Sequence, residues 1–334
     1  MTTTISGSSG GTAVTTTTLT ALVPPSPPQG RLTLTSATPV LTATVSAATT
    51  IYYALYTGNL IPIYSGTAWV MTTFTELSNA TAQSTTGNAG PAAVAANSNY
   101  DLFAWSNSGT LTLTRGPLWT SDTGRGTGSG TTEISRVLGI WSNTVAITNG
   151  PGAGLGTYVG TVRSNGSATI DWIVDGSGAG GSTLNLGVFN AYNRVKVAAQ
   201  TRDTTSSWTY TTTTWRSMNN SNSNRINYID GLTEVYAKSS LGVAWGGNTM
   251  YVIGVNRDST SATPTVIRDL WNPAGASALS IDTRFVPSLG FHYLQAMEWD
   301  SGGGTSTAYG TGDPTGSSGP ASAQWQALNV EVFI

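Results

Sequence analysis

Short alternating segments, each ended within a few residues by a turn, constrain the fold of this chain more than any other feature. Four of them follow one another near the N-terminus: Arg31–Thr35, Ile51–Tyr56, Leu60–Tyr64 and Trp69–Phe74. Apolar and polar side chains alternate in the first segment, which is the period of a half-buried strand. The other three are rich in the aromatic and β-branched residues that favour strands. Thr57–Asn59 is typical of a tight turn, and Pro62 indicates an edge position or a bulge. The run predicts an antiparallel meander.

The same pattern continues to the C-terminus. Tyr100–Trp105 and Thr110–Arg115 predict a hairpin, and Leu328–Ile334 predicts a closing strand. Leu184–Val197 has partly helical spacing, but its Asn and β-branched content favours strand. A short helix at Ala92–Ala96 is a separate possibility. Only 9% of the residues are charged, while 39% are hydrophobic, so Thr, Ser, Gly and Asn provide most of the polar surface. We therefore predict an all-β fold of antiparallel β-sandwich or jelly-roll-like domains joined by Gly/Ser/Thr-rich loops.

The chain divides by composition into three predicted parts. Residues 1–28 form an extended Thr/Ser/Pro-rich arm, 29–200 a β-sandwich domain and 201–334 a second β domain. The arm has no charged side chain and ends in the proline-rich run Pro24–Pro28, which favours an extended spacer. It is either a flexible tail or a segment that docks on a neighbouring subunit. We expect docking, because an uncharged segment can lie on another protein without burying unpaired charge.

A set of collinear motifs resembles a known family. The motifs are GRLTLTS at Gly30–Ser36, TIYY at Thr50–Tyr53, GN-I-Y-GT-W within Gly58–Trp69, F-ELS at Phe74–Ser78 and the later segments Tyr100–Ala104, Gly109–Leu113, Asn190–Val195, Ser207–Tyr210, Thr214–Arg216 and Gly290–Ala296. Together they resemble a module of tailed-phage and prophage virion structural proteins, of the tail-fibre, tail-tip or head-decoration type. The spacers 79–99 and 142–156 are longer and richer in Gly, Ala and Asn than the resemblance leads us to expect.

The resemblance implies a virion part, assembled in the host cytoplasm and then extracellular. It implies other tail or capsid proteins as partners and a homo-oligomer, with a trimer as the common form. It implies neither a known ligand nor a catalytic residue. The net charge of −2 and the presence of only two lysines, Lys196 and Lys238, argue against a nucleic-acid partner. The sequence has no cysteine and no apolar stretch of membrane-spanning length, so we expect no thiolate metal site and no membrane insertion.

Tryptophan side chains are the candidate binding residues, because exposed indole rings can stack on the sugars of a host cell-surface glycan. The candidates are Trp105, Trp119, Trp141, Trp208, Trp215 and Trp245. Packing in the core is the alternative for most of them, since aromatic side chains dominate β-sandwich cores. The sequence alone does not assign the face that each ring occupies.

Catalysis is the less favoured class of function. Asp171 with Asp175, and Glu298 with Asp300, are carboxylate pairs that a polysaccharide-degrading tailspike would need. This glycoside hydrolase is the alternative prediction. His292, the single histidine, lies in an apolar strand-like run and is interpreted as a packed residue. The glycine-rich loop Gly124–Gly128 lacks the strand-then-helix context of a phosphate site. We therefore predict no catalytic residue, cofactor or metal ligand.

Overall fold

The computed structural model describes residues 25–82, 89–126, 131, 133–271, 276–311 and 326–334, with only the backbone of 268–271 and 276. This part of the chain forms strands joined by turns and loops, together with one 3-10 turn at Met218–Asn220. The prediction of an all-β fold is confirmed. The predicted arm falls almost entirely outside the described residues, which begin at Pro25.

The described strands are numbered in chain order. The first thirteen are β1 (Gly30–Thr33), β2 (Val45–Ala48), β3 (Thr50–Leu55), β4 (Leu60–Tyr64), β5 (Trp69–Thr73), β6 (Leu77–Ala80), β7 (Asn99–Asn107), β8 (Thr110–Leu118), β9 (Ile134–Val137), β10 (Ile140–Asn143), β11 (Thr157–Arg163), β12 (Ile170–Ile173) and β13 (Asp175–Gly178). The others are β14 (Leu184–Leu186), β15 (Val188–Asn190), β16 (Lys196–Asp203), β17 (Ser207–Tyr210), β18 (Arg216–Ser217), β19 (Arg225–Asp230), β20 (Ala237–Gly247), β21 (Met250–Arg257), β22 (Ile267–Trp271), β23 (Ala276–Phe285), β24 (Gly290–Asp300), β25 (Ser306–Tyr309) and β26 (Ala327–Phe333).

Three larger sheets and two small ones organise these strands. The eight-stranded sheet has the order β2-β12-β14-β19-β24-β21-β22, with β18 also paired to β24. The seven-stranded sheet has the order β13-β16-β26-β20-β25-β17, with β23 paired to the other edge of β20. The six-stranded sheet has the order β8-β7-β11-β10-β9, with β15 on β11. The small sheets are β1-β3-β6 and the hairpin β4-β5.

One hydrophobic cluster connects the sheets. It contains Leu32 and Tyr53 from the N-terminal sheet as well as Trp245 and Val330 from the seven-stranded sheet. Each fully buried side chain of this size contributes roughly 1.5–3 kcal/mol to the hydrophobic free energy of folding. The predicted domain boundary at residue 200 falls inside β16, and the pairing of β14 with β19 joins strands from both sides of it.

The predicted meander is wrong, although its four strands are present. In the structure β1 pairs with β3, β3 pairs with β6, and β4-β5 is a separate two-stranded sheet. The segment between β1 and β3 also contains β2, which leaves to join β12. A side chain rather than a strand meets the other edge of β1: Asn190 accepts a hydrogen bond from the Leu32 N–H at 2.6 Å and donates to the Leu32 carbonyl. Pro62 lies in the β4-β5 pair, consistent with the predicted edge position.

The two ambiguous segments are not helical. Leu184–Val197 contains β14, β15 and the start of β16, so the preference for strand is confirmed. Ala92–Ala96 forms bends and irregular backbone instead of a helix. In β16 the buried residues Val197 and Ala199 alternate with the exposed Lys196 and Ala198. This half-buried pattern leaves one side of the seven-stranded sheet facing solvent.

Candidate functional site

The solvent-facing side of the seven-stranded sheet carries the most distinctive surface of the described residues. Successive side chains of a strand point to opposite sides, so one set of alternate residues faces the core and the other set faces solvent. We call the solvent-facing set the outer face. Its members are Lys196, Ala198, Gln200 and Arg202 of β16; Ala327, Asn329, Glu331 and Phe333 of β26; Lys238, Ser240 and Gly242 of β20; Ser280, Asp282 and Arg284 of β23; and the flanking residues Tyr236 and Val286.

The strand register arranges these residues in rows. One row contains Ala198, Glu331, Lys238 and Arg284, and the next contains Gln200, Asn329, Ser240 and Asp282. Lys196 lies opposite Phe333 in a third row, which adjoins the row of Ala198 and Glu331. Because antiparallel neighbours on one side of a sheet have Cβ atoms about 5 Å apart, the members of a row interact directly.

Both lysines of the chain converge on Glu331. The Lys196 Nζ atom lies 2.7 Å from Glu331 Oε1, and Lys238 is directly opposite Glu331 on β20. The hydrogen bond from Lys196, with the positive charges of Lys196 and Lys238, lowers the pKa of the Glu331 carboxyl. This cluster is exposed to solvent, so it defines the charge pattern of the surface more than the stability of the fold.

A groove crosses the outer face beside these charges. It has a volume of about 560 Å³ and is lined by Asp175, Gln200, Asn329, Lys238 and Glu331, among others. The Gln200 Nε2 atom donates to Asn329 Oδ1 at 2.6 Å. Among the described residues, the Gln200 carbonyl oxygen and the Asn329 amino group keep hydrogen-bonding capacity for a ligand.

By contrast, the small cavity beside Arg163 and Tyr228 measures about 20 Å³. A cavity of this size accommodates about one water molecule, so it cannot hold a substrate. The candidate site is therefore an open surface.

An exposed apolar row borders the groove. Phe333 is 56% exposed, Tyr236 65% and Val286 65%. Tyr236 directly precedes β20 and Val286 directly follows β23, next to the paired residues Ala237 and Phe285, and Phe333 is the last residue of the adjacent β26. A single exposed apolar side chain is ordinary, whereas contiguous exposed ones mark interaction surfaces.

The six candidate tryptophans do not come together at this surface. Trp119, Trp208 and Trp245 are buried, and Trp105, Trp141 and Trp215 are half-buried. Their environments are those of packed residues: Trp105 Nε1 donates to Thr114 Oγ1 at 2.7 Å, Trp208 Nε1 donates to Glu298, and arginines lie 4.3 Å from the ring centroids of Trp119 and Trp141. The three buried rings offer no face to a sugar.

The carboxylates of one predicted pair are engaged within the interior. Glu298 accepts hydrogen bonds from Trp208, Tyr251, Arg216 and the Asn219 N–H, which occupy both of its oxygens. Burial raises the pKa of Glu298, while the charge of Arg216 and these hydrogen bonds oppose the rise.

Asp300, two residues further along β24, accepts from Thr249, Ser306 and the Gly302 N–H. The carboxyl groups of Glu298 and Asp300 are buried, and their oxygens already accept hydrogen bonds, so neither group faces a cleft.

The second predicted pair lies on strands of different sheets. Asp171, in β12, accepts from the Ala47 N–H at 2.8 Å and from Asn165 Nδ2 at 2.9 Å. Asp175, at the start of β13, accepts two hydrogen bonds of 3.0 Å from Arg202. His292 is buried in β24, as its sequence context predicts, with Nδ1 2.6 Å from Asp258 Oδ2 and Nε2 3.0 Å from the Ser288 carbonyl. The described residues contain no cluster of three or more His, Cys, Asp or Glu side chains able to hold a metal ion.

Sequence reasoning missed a buried charge cluster at the glycine-rich loop. Arg125 Nε lies 2.6 Å from Asp101 Oδ2, and its Nη2 donates to Asp101 Oδ1 and to the Gly231 carbonyl. Thr161 also donates to Asp101 at 2.7 Å. Arg125 thus has a structural role, since it anchors the described part of the loop to β7. A single arginine between glycines gives no sequence signal for this, because its partner lies 24 residues away.

Neither a known protein-family profile nor a curated protein sequence matches the chain. Within the described residues, no helix combines the length and the apolar character needed to cross a bilayer.

Proposed function

We propose that the chain is a structural subunit of a tailed-phage particle, of the tail-fibre, tail-tip or head-decoration type, and that it acts by docking to other virion proteins. The observation that carries this proposal is the outer face, where the exposed row of Phe333, Tyr236 and Val286 adjoins the paired charges around Glu331. An apolar patch rimmed by polar groups is the usual composition of a protein interface. The proposed subunit acts as part of the virion, which is assembled in the host cytoplasm and released outside the cell.

The residues that carry the resemblance support a shared fold. Gly30–Thr33 pairs with Tyr52–Leu55 in the β1-β3 ladder, and Leu32, Ile51 and Tyr53 are buried. Such residues specify packing, so they account for a common scaffold more readily than for a common ligand. The docking specificity of this subunit therefore resides in surface positions such as those of the outer face. Self-association belongs to the same proposal, with a trimer as the expected form.

Mass spectrometry of purified particle fractions tests the proposal. Phage or induced prophage particles are separated into tail and capsid fractions, and peptides of this chain are quantified in each. Enrichment in one of the two fractions, in a fixed ratio to the known structural proteins of that fraction, is the expected result. A chain found only in the particle-free supernatant would contradict a structural role.

A host cell-surface glycan is a further proposed partner, and the groove beside Gln200 is the observation that favours it. The free carbonyl of Gln200 and the amino group of Asn329 match the donor and acceptor hydroxyls of a sugar. Calorimetric titration with oligosaccharides from host lipopolysaccharide tests this partner. The double variant Gln200→Ala/Asn329→Ala should abolish any binding, whereas unchanged binding would exclude the groove.

The alternative function, a polysaccharide-degrading tailspike, is tested by incubation with host capsule or lipopolysaccharide. We expect no released oligosaccharide, because the four candidate carboxylates are committed to hydrogen bonds and ion pairs within the fold. Released oligosaccharide would overturn the docking proposal in favour of the hydrolase.

A further inference from the structure

The outer face carries more positive charge than the chain as a whole. Four cations and two carboxylates make up its charged side chains: Lys196, Arg202, Lys238, Arg284, Asp282 and Glu331. The full chain has 14 lysines and arginines against 16 aspartates and glutamates, so its net charge is −2. Positive charge is therefore concentrated on this surface, which favours a partner of opposite charge.

Two of the four cations already have a carboxylate partner within the chain. Lys196 forms an ion pair with Glu331. Arg202 forms one with Asp175, on the adjacent edge strand β13. Among the described residues, by contrast, no carboxylate forms an ion pair with Lys238 or Arg284. Lys238 lies opposite the glutamate that Lys196 holds, so these two lysines share one negative charge.

Lys238 and Arg284 lie directly opposite each other in the ladder between β20 and β23. Both side chains are exposed on the same side of the sheet. Like charges at directly opposite positions repel and destabilise the pairing of the two strands. A carboxylate bound between the two cations would replace this repulsion with two charge-assisted hydrogen bonds. The pair therefore has the composition of a site for an anionic group.

The exposed apolar row runs alongside this cationic pair. Tyr236 lies two residues before Lys238 in the chain, and Val286 lies two residues after Arg284. Two residues of a strand advance about 7 Å and return to the same side. An extended protein segment with an apolar side chain and a carboxylate two positions apart therefore reaches both rows. An acidic sugar offers the carboxylate but not the apolar side chain, so the surface favours a protein partner.

We infer that the outer face binds an acidic and apolar segment of another virion protein. A carboxylate of that segment lies between Lys238 and Arg284, and a neighbouring apolar side chain covers Tyr236 and Val286. This inference rests on the proposed function, because it gives the chemistry of the partner at the docking surface.

Carbodiimide cross-linking of purified particles tests the inference, because the reagent joins a lysine amine to a carboxylate in contact with it. The chain has only two lysines, so mass spectrometry assigns each adduct to one of them. Lys196 should link to Glu331 of its own chain, in the isolated protein and in particles alike. Lys238 should link, in particles, to an aspartate or glutamate of another virion protein.

Variants separate the amine from the charge. Lys238→Arg keeps the charge and lacks the amine, so it should enter particles normally and lose the adduct. Lys238→Gln/Arg284→Gln removes both charges and should be depleted at least about tenfold in competition with the wild-type chain for incorporation. Its melting temperature should equal or exceed that of the wild type, because the repulsion between the two cations is gone. Arg202→Gln, which removes a paired cation of the same face, is the matched control and should incorporate equally.

Several results would overturn the inference while the chain is still found in particles. They are a Lys238 adduct confined to its own chain, an adduct to a saccharide, no Lys238 adduct where the link between Lys196 and Glu331 forms, and equal incorporation of Lys238→Gln/Arg284→Gln. In each case the proposed function stands and only the acidic partner is wrong. Absence of the wild-type chain from particles would instead overturn the proposed function, and this inference with it.

Discussion

Arg125 and Asp101 form an ion pair inside the fold, with Nε and Oδ2 2.6 Å apart and the Asp101 side chain fully buried. The guanidinium also packs on the Trp119 ring, 4.3 Å from its centroid. Removing one partner leaves an uncompensated buried charge, which costs about 3–5 kcal/mol of unfolding free energy. We predict this loss for Asp101→Asn and for Arg125→Met, measured by chemical denaturation.

The double variant Asp101→Asn/Arg125→Met is the control for that prediction. It leaves no unpaired charge, so its destabilisation should be clearly smaller than the sum of the two single losses. Additive losses would show that the two side chains act independently, contrary to the geometry.

Gly160 provides a second stability test. It has φ +156° at a bulge in β11, and an added Cβ would lie 2.1 Å from the Phe189 carbonyl oxygen. Because the Phe189 backbone can move away from the added Cβ only at a cost in free energy, Gly160→Ala should lower the free energy of unfolding by about 1–3 kcal/mol or more. Gly166→Ala is the matched control, since an added Cβ there meets nothing within 4 Å. Equal melting temperatures for the two variants would contradict the described bulge.

Two of the five glutamates should titrate on opposite sides of the ordinary value of 4.5. The hydrogen bond from Lys196 lowers the pKa of Glu331, and burial raises that of Glu298. Glutamate-selective ¹³C NMR measures both. In Lys196→Met the pKa of Glu331 should rise towards 4.5, while that of Glu298 stays unchanged. An unaltered Glu331 titration would mean that the ion pair does not form in solution.

The two shifts have opposite effects on stability. The unfolded chain loses the Glu298 proton near pH 4.5 and the folded chain loses it only at higher pH, so between these values the contribution of Glu298 to stability falls as pH rises. The pKa of Glu331 is lower in the folded chain, so its contribution is present above pH 4.5 and is lost as pH falls through the folded pKa.

Strands joined by short turns could be predicted from the sequence, whereas pairings between strands distant in sequence could not. Leu60–Tyr64 coincides with β4, and the β7-β8 hairpin closes at Ser108-Gly109, because alternation and turn residues are local signals. The meander failed because β3 finds its second partner in β6, beyond the β4-β5 hairpin. The burial of Trp245 follows the alternation of Leu241 and Val243 in β20, whereas the burial of Trp119, just beyond the end of β8, has no such local signal.

The outer face shows the same limit. Lys196 and Glu331 are 135 residues apart, and only the register of β16 with β26 brings them together. The exposed row of Phe333, Tyr236 and Val286 depends on three strand ends that no sequence period relates. The sequence therefore predicts an all-β protein with polar surfaces, but not the surface on which the proposed docking depends.

Truncation at Gln29 separates folding from assembly. A chain that starts there keeps the hydrogen bonds that join Gly30 and Arg31 of β1 to Asn193, so its circular-dichroism spectrum and melting temperature should match those of the full chain. It should nevertheless fail to enter particles, because it lacks the arm that the sequence predicts to dock on a neighbouring subunit. Normal incorporation would mean that the arm is only a tail.

Competition for incorporation tests the central claim, docking through the outer face, most directly. Cells that produce particles express the wild-type chain and Tyr236→Ser/Phe333→Ser in equal amounts, and mass spectrometry gives their ratio in purified particles. Leu138→Ser, at a side chain that is 58% exposed and lies between β9 and β10, is the matched control. We predict at least tenfold depletion of the double variant and equal incorporation of the control. Equal incorporation of both variants would contradict docking through the outer face.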